Sequence, residues 1–366
     1  MQCLMLMMLL AACGCMRRDP VHTAIENLGG TQAEARQAVM SLRLMSRDPV
    51  PELIQTVQNR RARHRIRVKC VDVLGDIARR QQNEEALAFL HELLRDPDPE
   101  IQQAAVRGFI DAEYKPAVPD LIAMKKEADA ELRKTIEKAL RTTTIKLVRE
   151  VEKQWNAPEA ALAAYEDAEE LGLDRGLMGY SKAKFLDMRG RTEEADDQFD
   201  ELGVIRRWWL IGPFPNRQGM GFRQSYPPET EIELDAAYPS TVGTIEWYRM
   251  ERNLPAGFLD FEAYFVETDN VVGYTMVYLV SDRAQPVEVR AGSDDTLQLY
   301  LNHELVWAHE EYRALQFDDD IVEVNLEKGT NTLVFKVCED WGGWQLMARI
   351  TGPGDTPLEG VTITLD

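Results

Sequence analysis

Three sets of residues in this chain have types and spacings that could do chemistry. Asp294-Asp295 and Asp318-Asp319-Asp320 set carboxylate oxygens side by side, the hard donors that Ca2+ prefers. Turn chemistry accounts for Gly292-Ser293-Asp294-Asp295 equally well, because Asp and Ser side chains accept hydrogen bonds from nearby backbone amides. Trp307, Trp341 and Trp344 could lay flat apolar faces against a pyranose ring, with Asp294, Asp295 and Asn302 partnering its hydroxyls. Strand alternation offers the competing reading, in which each of these tryptophans is core. His303-Glu304 and His309-Glu310 lack the HExxH spacing that places two metal ligands on one helix face. With five His, no GxSxG and no Walker lysine, no catalytic residue is assigned, and Ca2+ is the one cofactor the sequence leaves in view. A glycoside-cleaving carboxylate pair stays open among the 27 acidic residues after Gly203, since sequence spacing does not fix their separation in space.

The elements that must position these residues are strands. After Gly203 the chain carries six of its seven Trp, with 12 Lys and Arg against the 27 acidic residues. Runs such as Tyr274–Val280, Val287–Arg290, Leu297–Leu301, Ile321–Leu326 and Thr332–Val337 are rich in aromatic and β-branched residues, separated by Gly, Asp and Asn. Short strands joined by polar turns, with no helices between them, predict an all-β antiparallel sandwich. The stretch Ala291 to Trp307 followed by Leu326 to Leu333 resembles galactose-binding-like jelly rolls. That resemblance implies the fold, and for some members glycan binding; Asn302-His303 stands where the pattern often has Asn-Gly, a turn that needs positive φ.

The first half reads differently. Ile66/Cys70/Leu74, Ile101/Ala105/Phe109 and Leu132/Ile136/Leu140 each put one apolar stripe on one helix face. Pro51 and Pro119 fall in the first turn of preceding helices, where the missing amide hydrogen has no partner to lose. The inter-helix run Leu93 to Ile101, with Asp capping a helix that Pro begins, resembles HEAT-type repeats; such arrays imply a surface for protein partners. Ala183, Phe185, Leu186, Ala195, Phe199 and Leu202 resemble one tetratricopeptide-type helix pair, expected to form a joint leaning on its neighbours. The basic run Arg60 to Lys69 is read as a solvated turn and helix face, with no ligand assigned.

At the N-terminus, Leu4 to Ala12 is an apolar run too short to span a bilayer and about right for a signal peptide, although Met1 and Gln2 supply no basic residue. Leu10-Ala11-Ala12-Cys13-Gly14 resembles the bacterial lipobox, which implies lipidation at Cys13; Gly14 in place of Asp implies the outer membrane. Of the remaining cysteines, Cys3 would leave with the signal, and Cys15, Cys70 and Cys338 make no paired framework.

The expected organisation is therefore signal peptide 1–12, anchor and linker 13–19, HEAT-like repeats 20–145, a tetratricopeptide-like segment 146–203 and a β-sandwich 204–366. The formal charge of −20 opposes nucleic acid and anionic lipid, so membrane contact is expected through the anchor alone. The sum of these readings is a non-enzymatic, lipid-anchored envelope protein whose helical repeats hold a protein partner and whose sandwich binds glycan. A polysaccharide hydrolase and a purely structural assembly protein are the alternatives.

Overall fold

The computed structural model describes residues 19–112, 114–153, 156–266 and 268–366. Cys13, the signal segment and nearly all of the linker lie outside the described residues. The chain divides into two compact units, the first ending at Asp174 and the second beginning at Arg175. Among the described residues no helix is long and apolar enough to cross a membrane.

The first unit consists of helices α1 (Pro20–Asn27), α2 (Gln32–Leu44), α3 (Val50–Gln58), α4 (His64–Gln81), α5 (Glu84–Leu93), α6 (Pro99–Phe109), α7 (Val118–Glu127), α8 (Ala130–Glu152) and α9 (Pro158–Glu170). They stack as antiparallel pairs in two layers: α1, α3 and α5 pack in one, and α2, α4, α6 and α8 in the other. Local chemistry sets the boundaries. Asp98 accepts a hydrogen bond from the Glu100 amide and Pro99 opens α6, while Thr31 and Glu34 close a capping box on α2. Cys70 and Leu74, Ile101, Ala105 and Phe109, and Ile136 and Leu140 are buried, as the apolar stripes predict; Ile66 and Leu132 are only half-buried. Each of the latter two lies in the first turn of its helix, where the stripe runs out toward the surface. Gly75 and Gly108 let α4 and α6 touch backbone to backbone, since a Cβ on Gly75 would sit 2.6 Å from Gly108 Cα. Burial pushes the Cys70 thiol up to about 12, so it packs as a hydrophobe.

The second unit starts with the helix pair α10 (Arg175–Met188) and α11 (Thr192–Glu201), followed by the strands. These are β1 (Trp209–Pro215), β2 (Ala237–Ser240), β3 (Gly243–Glu246), β4 (Tyr248–Arg249), β5 (Leu259–Asp260), β6 (Val271–Ser281), β7 (Gln285–Asp294), β8 (Thr296–Leu301), β9 (Glu304–His309), β10 (Asp320–Leu326), β11 (Gly329–Glu339), β12 (Gln345–Thr351) and β13 (Val361–Thr364). The larger sheet runs β4-β1-β6-β11-β8-β9 with β13 also on β6, and the smaller runs β10-β7-β12-β5. Every pairing is antiparallel, and β2 and β3 form a separate hairpin.

Alternating residues fill the space between the sheets: Leu297, Leu299 and Leu301 from β8, Leu333, Phe335 and Val337 from β11, and Leu346, Ala348 and Ile350 from β12. The opposite face of the larger sheet is buried too. Phe222, Tyr226, Ile245 and Trp247 from the long β1–β4 connection cover Tyr274, Tyr300, Val334 and Cys338. That second layer is why β8 is buried at every position and does not alternate between core and solvent.

The outer face of the smaller sheet carries charge. Arg349 on β12 binds Asp318 at 2.9 and 2.5 Å and Asp355 at 2.6 Å, and Arg290 on β7 binds Glu288 at 2.6 Å and Asp318 at 3.0 Å. Helix α10 docks on this face: the Gly176 amide donates to Asp355 at 3.0 Å, and the Tyr180 ring lies 4.7 Å from that of Phe317. The Val204–Arg349 bridge and the Ile205 amide on the Ala348 carbonyl continue the contact. The helix pair is thus an outer layer of the sandwich unit.

Candidate functional site

The site grows from one end of the sandwich, where β7 turns into β8 and β11 ends. In β11 the inward row Leu333, Phe335, Val337 is continued by Glu339, so a carboxylate occupies a position that alternation reserves for an apolar side chain. In β8 the row Leu301, Leu299, Leu297 leads back to Asp295 in the same way. The β8–β11 register pairs Leu297 with Val337 and Thr296 with Cys338. One further step sets Asp295 directly opposite Glu339, where like charges repel. Asp294 joins them, and one oxygen from each of the three lies within 4.8 Å of the others.

Glu339 is 0% exposed, and both its carboxylate oxygens lack a hydrogen-bond partner. Burial, followed by the charges of Asp295 and Asp294, pushes its carboxyl up to about 9. Burial and the neighbouring Asp295 push Asp294 up to about 6, and burial also raises Asp295, which accepts from the Arg313 amide at 3.2 Å. The sign for stability follows. A folded-state acid raised above its unfolded value favours folding at low pH and loses that advantage as pH rises. In chelator, the unfolding midpoint of the sandwich unit is expected to fall as pH climbs from about 4.5 toward about 9, followed by urea titrations in a pH series.

The loop after β11 closes over the cluster. Cβ atoms built on Gly342 and Gly343 would lie 3.7 Å from Glu339 Oε1 and 3.1 Å from Asp294 Oδ2, and Gly342 has φ of +124°, so small residues let this loop approach. Asp340 accepts from Asn216 at 2.9 Å and from the Tyr312 hydroxyl at 2.5 Å. Beside it lies a cavity of about 190 Å³ lined by Asn216, Phe222, Thr296, Glu310, Tyr312 and Asp340. Trp341 is 82% exposed and Tyr312 70% exposed.

The other residues singled out from sequence are distributed more widely. Trp344 is wholly buried, its ring stacked 4.7 Å from that of Phe261, so its face is occupied by core. Asn302 lies at the far end of β8 from Asp295; it accepts from the Thr332 amide at 2.8 Å and donates to Asn331 at 3.0 Å. Asn302 and His303 both take positive φ, 50° and 69°, giving the tight hairpin that Asn-Gly would give. Trp307 stands half-exposed on the edge strand β9, beside His309. The acidic run is held by arginines and a histidine: Asp318 by Arg290 and Arg349, Asp319 by Arg313 at 3.0 Å, and Asp320 by Arg313 and, at 2.7 Å, His309. The structure therefore brings Asp294 and Asp295 together with Glu339, under the loop that carries Trp341. Glu339, Tyr312 and Asp340 are the residues sequence reading missed. For Glu339 the signal was present as a charge in an apolar alternation.

A second concavity lies in the first unit. Arg43, Lys69, Arg79 and Arg107 meet Asp72 and Asp76 around a groove of about 320 Å³ whose lining includes Gly75 and Gly108. Arg107 binds Asp72 at 2.9 Å across α6 and α4, and Asp76 is buried against Arg43 and Arg79. Residues 50–141 match the family model of HEAT repeats. No curated protein matches the chain. HEAT repeats commonly mediate protein–protein interaction, and the match runs from α3 into the first half of α8 and includes α4 and α6, which line much of this groove.

Proposed function

We propose that this chain is a non-enzymatic scaffold of the bacterial cell envelope, held by lipid on Cys13 and facing the periplasm or cell surface from the outer membrane. Its HEAT repeats engage a protein partner, and the rim of its sandwich binds glycan. The observation that carries the glycan reading is Trp341, a large aromatic side chain standing 82% exposed on the loop that closes over Asp294, next to the cavity lined by Asp340, Glu310 and Tyr312. An exposed aromatic face beside carboxylates suits a pyranose, whose axial hydrogens stack on the ring while its hydroxyls donate to the oxygens. Glu339 is too deeply buried to touch a glycosidic oxygen, which argues against a hydrolytic role for that carboxyl.

A glycan array probed with the whole chain tests this reading. Binding to a defined glycan that Trp341→Ala weakens at least about tenfold supports it, the loss expected when a stacking ring is removed. A well-folded chain that stays silent across the array, or binds equally with Ala at 341, contradicts it. The anchor is tested separately by metabolic labelling with a palmitate analogue, which Cys13→Ala is expected to abolish.

A further inference from the structure

We propose that Asp294, Asp295 and Glu339 bind one Ca2+ ion at the end of the sandwich. The proposal goes beyond the glycan reading and does not depend on it. An acidic cluster on a surface needs no ion, because water solvates each charge. Here Glu339 is fully buried, both its oxygens are without a hydrogen-bond partner, and it points at two further carboxylates. An unpaired buried carboxylate is among the most unfavourable groups a fold can hold. The ion pairs nearby do not relieve it: Arg313 spends its side-chain donors on Ser293, Asp319, Asp320 and the Asp295 carbonyl, while its amide serves Asp295.

The donor set chooses the ion. Three carboxylates offer hard oxygens only, which excludes the ions that select sulfur or imidazole. The oxygens fall within 4.8 Å of one another, and Ca2+ with bonds of about 2.3–2.6 Å spans opposed ligands about 4.6–5.2 Å apart. Mg2+ keeps several of its waters, which a wholly buried ligand such as Glu339 disfavours. Asp294 ends β7 in the smaller sheet, while Asp295 precedes β8 and Glu339 ends β11 in the larger one, so the ion would fasten strand ends of both sheets and support the loop carrying Trp341.

Calorimetric titration of the chelator-treated whole chain with CaCl2 at pH 7.5 tests the proposal. One equivalent should bind with a dissociation constant of about 1 mM or tighter, the range of extracellular calcium modules, and Mg2+ should bind at least about tenfold more weakly. Saturating Ca2+ should raise the unfolding midpoint. Glu339→Gln keeps the shape and removes one charge; its midpoint in chelator should equal or exceed that of the parent, while Ca2+ affinity falls at least about tenfold. Asp294→Asn should weaken binding likewise. Absence of Ca2+ binding by the folded parent chain overturns the proposal, as does unchanged affinity in both variants. In the first case the cluster is balanced by a shared proton, seen as a Glu339 carboxyl signal whose titration Ca2+ does not alter.

Discussion

Lys336→Met is expected to destabilise the sandwich unit by about 3–5 kcal/mol, the range for breaking one side of a buried ion pair. Lys336 sits on the outer row of β11, buried beneath the β1–β4 connection. Its ammonium donates to Glu229 at 2.7 Å and to the carbonyls of Gln224 and Phe222 at 2.8 and 3.3 Å, so all three hydrogens are used. Glu229 also accepts from the Tyr274 hydroxyl at 2.5 Å. Burial alone would raise Glu229; the hydrogen bonds from Lys336 and Tyr274 outweigh it and hold the carboxyl below its usual value. The methionine fills the space yet leaves that carboxylate without its cation. The pH dependence reverses with it. In the parent, the Glu229 contribution is present above its unfolded pKa and lost as pH falls through the lower folded one; in the variant, the raised carboxyl weakens folding as pH rises. Urea unfolding at pH 5 and pH 8 separates the two signs, and Glu229→Gln in the Lys336→Met background should restore part of the loss.

Arg349→Leu is expected to cost about 3 kcal/mol and to act first on the helix pair. The guanidinium is buried on the outer face of the smaller sheet, bidentate to Asp318 and bonded to Asp355, with the Phe317 ring 5.2 Å beneath it. Arg290 stays close to Asp318, which is why the expected loss lies at the low end for a buried pair. Asp355 also receives the Gly176 amide, so loosening it loosens the start of α10. Hydrogen exchange across 175–201 should rise before that of the strands. Lysine at 349 should not rescue, because an ammonium cannot bridge two carboxylate oxygens in the planar geometry a guanidinium provides. Equal protection of 175–201 in parent and variant would show that the helices are held by apolar contact alone.

Much of this architecture is legible in the sequence because its signals are local. Asp98-Pro99 caps and opens a helix through atoms two residues apart, and the Cys70/Leu74 stripe follows from helical pitch. The shift to strands after Gly203 likewise appears as runs of β-branched and aromatic residues. What composition could not reveal is which neighbours the last helix pair prefers: charge and Trp content change at Gly203, whereas the compact unit begins at Arg175 because Gly176 and Tyr180 find Asp355 and Phe317 far along the chain.

The site shows the same limit more sharply. Trp341 and Trp344 share one short motif, yet one is in solvent and the other is core, a difference set by where β12 begins. Asp295 and Asn302 are close in sequence and flank opposite ends of one strand, about 23 Å apart at strand rise. Glu339 meets Asp295 only through the register of β8 on β11. The Asp318–Asp320 run looks like a cation site until the arginines of three other segments fold onto it. Carboxylates advertise themselves in a sequence, but whether a cation already serves them is a property of the packed structure.

The most direct measurement is a crystal structure of the chain grown near pH 7.5 with CaCl2, with anomalous difference density collected at long wavelength. The account predicts a single strong peak with oxygens of Asp294, Asp295 and Glu339 about 2.3–2.6 Å away and the Gly342-Gly343 loop closed above it. Oxygens of Glu339 and Asp295 drawn to about 2.5–2.7 Å of each other, with no peak between the three side chains, would mean that a proton holds the sandwich rim together and would contradict it.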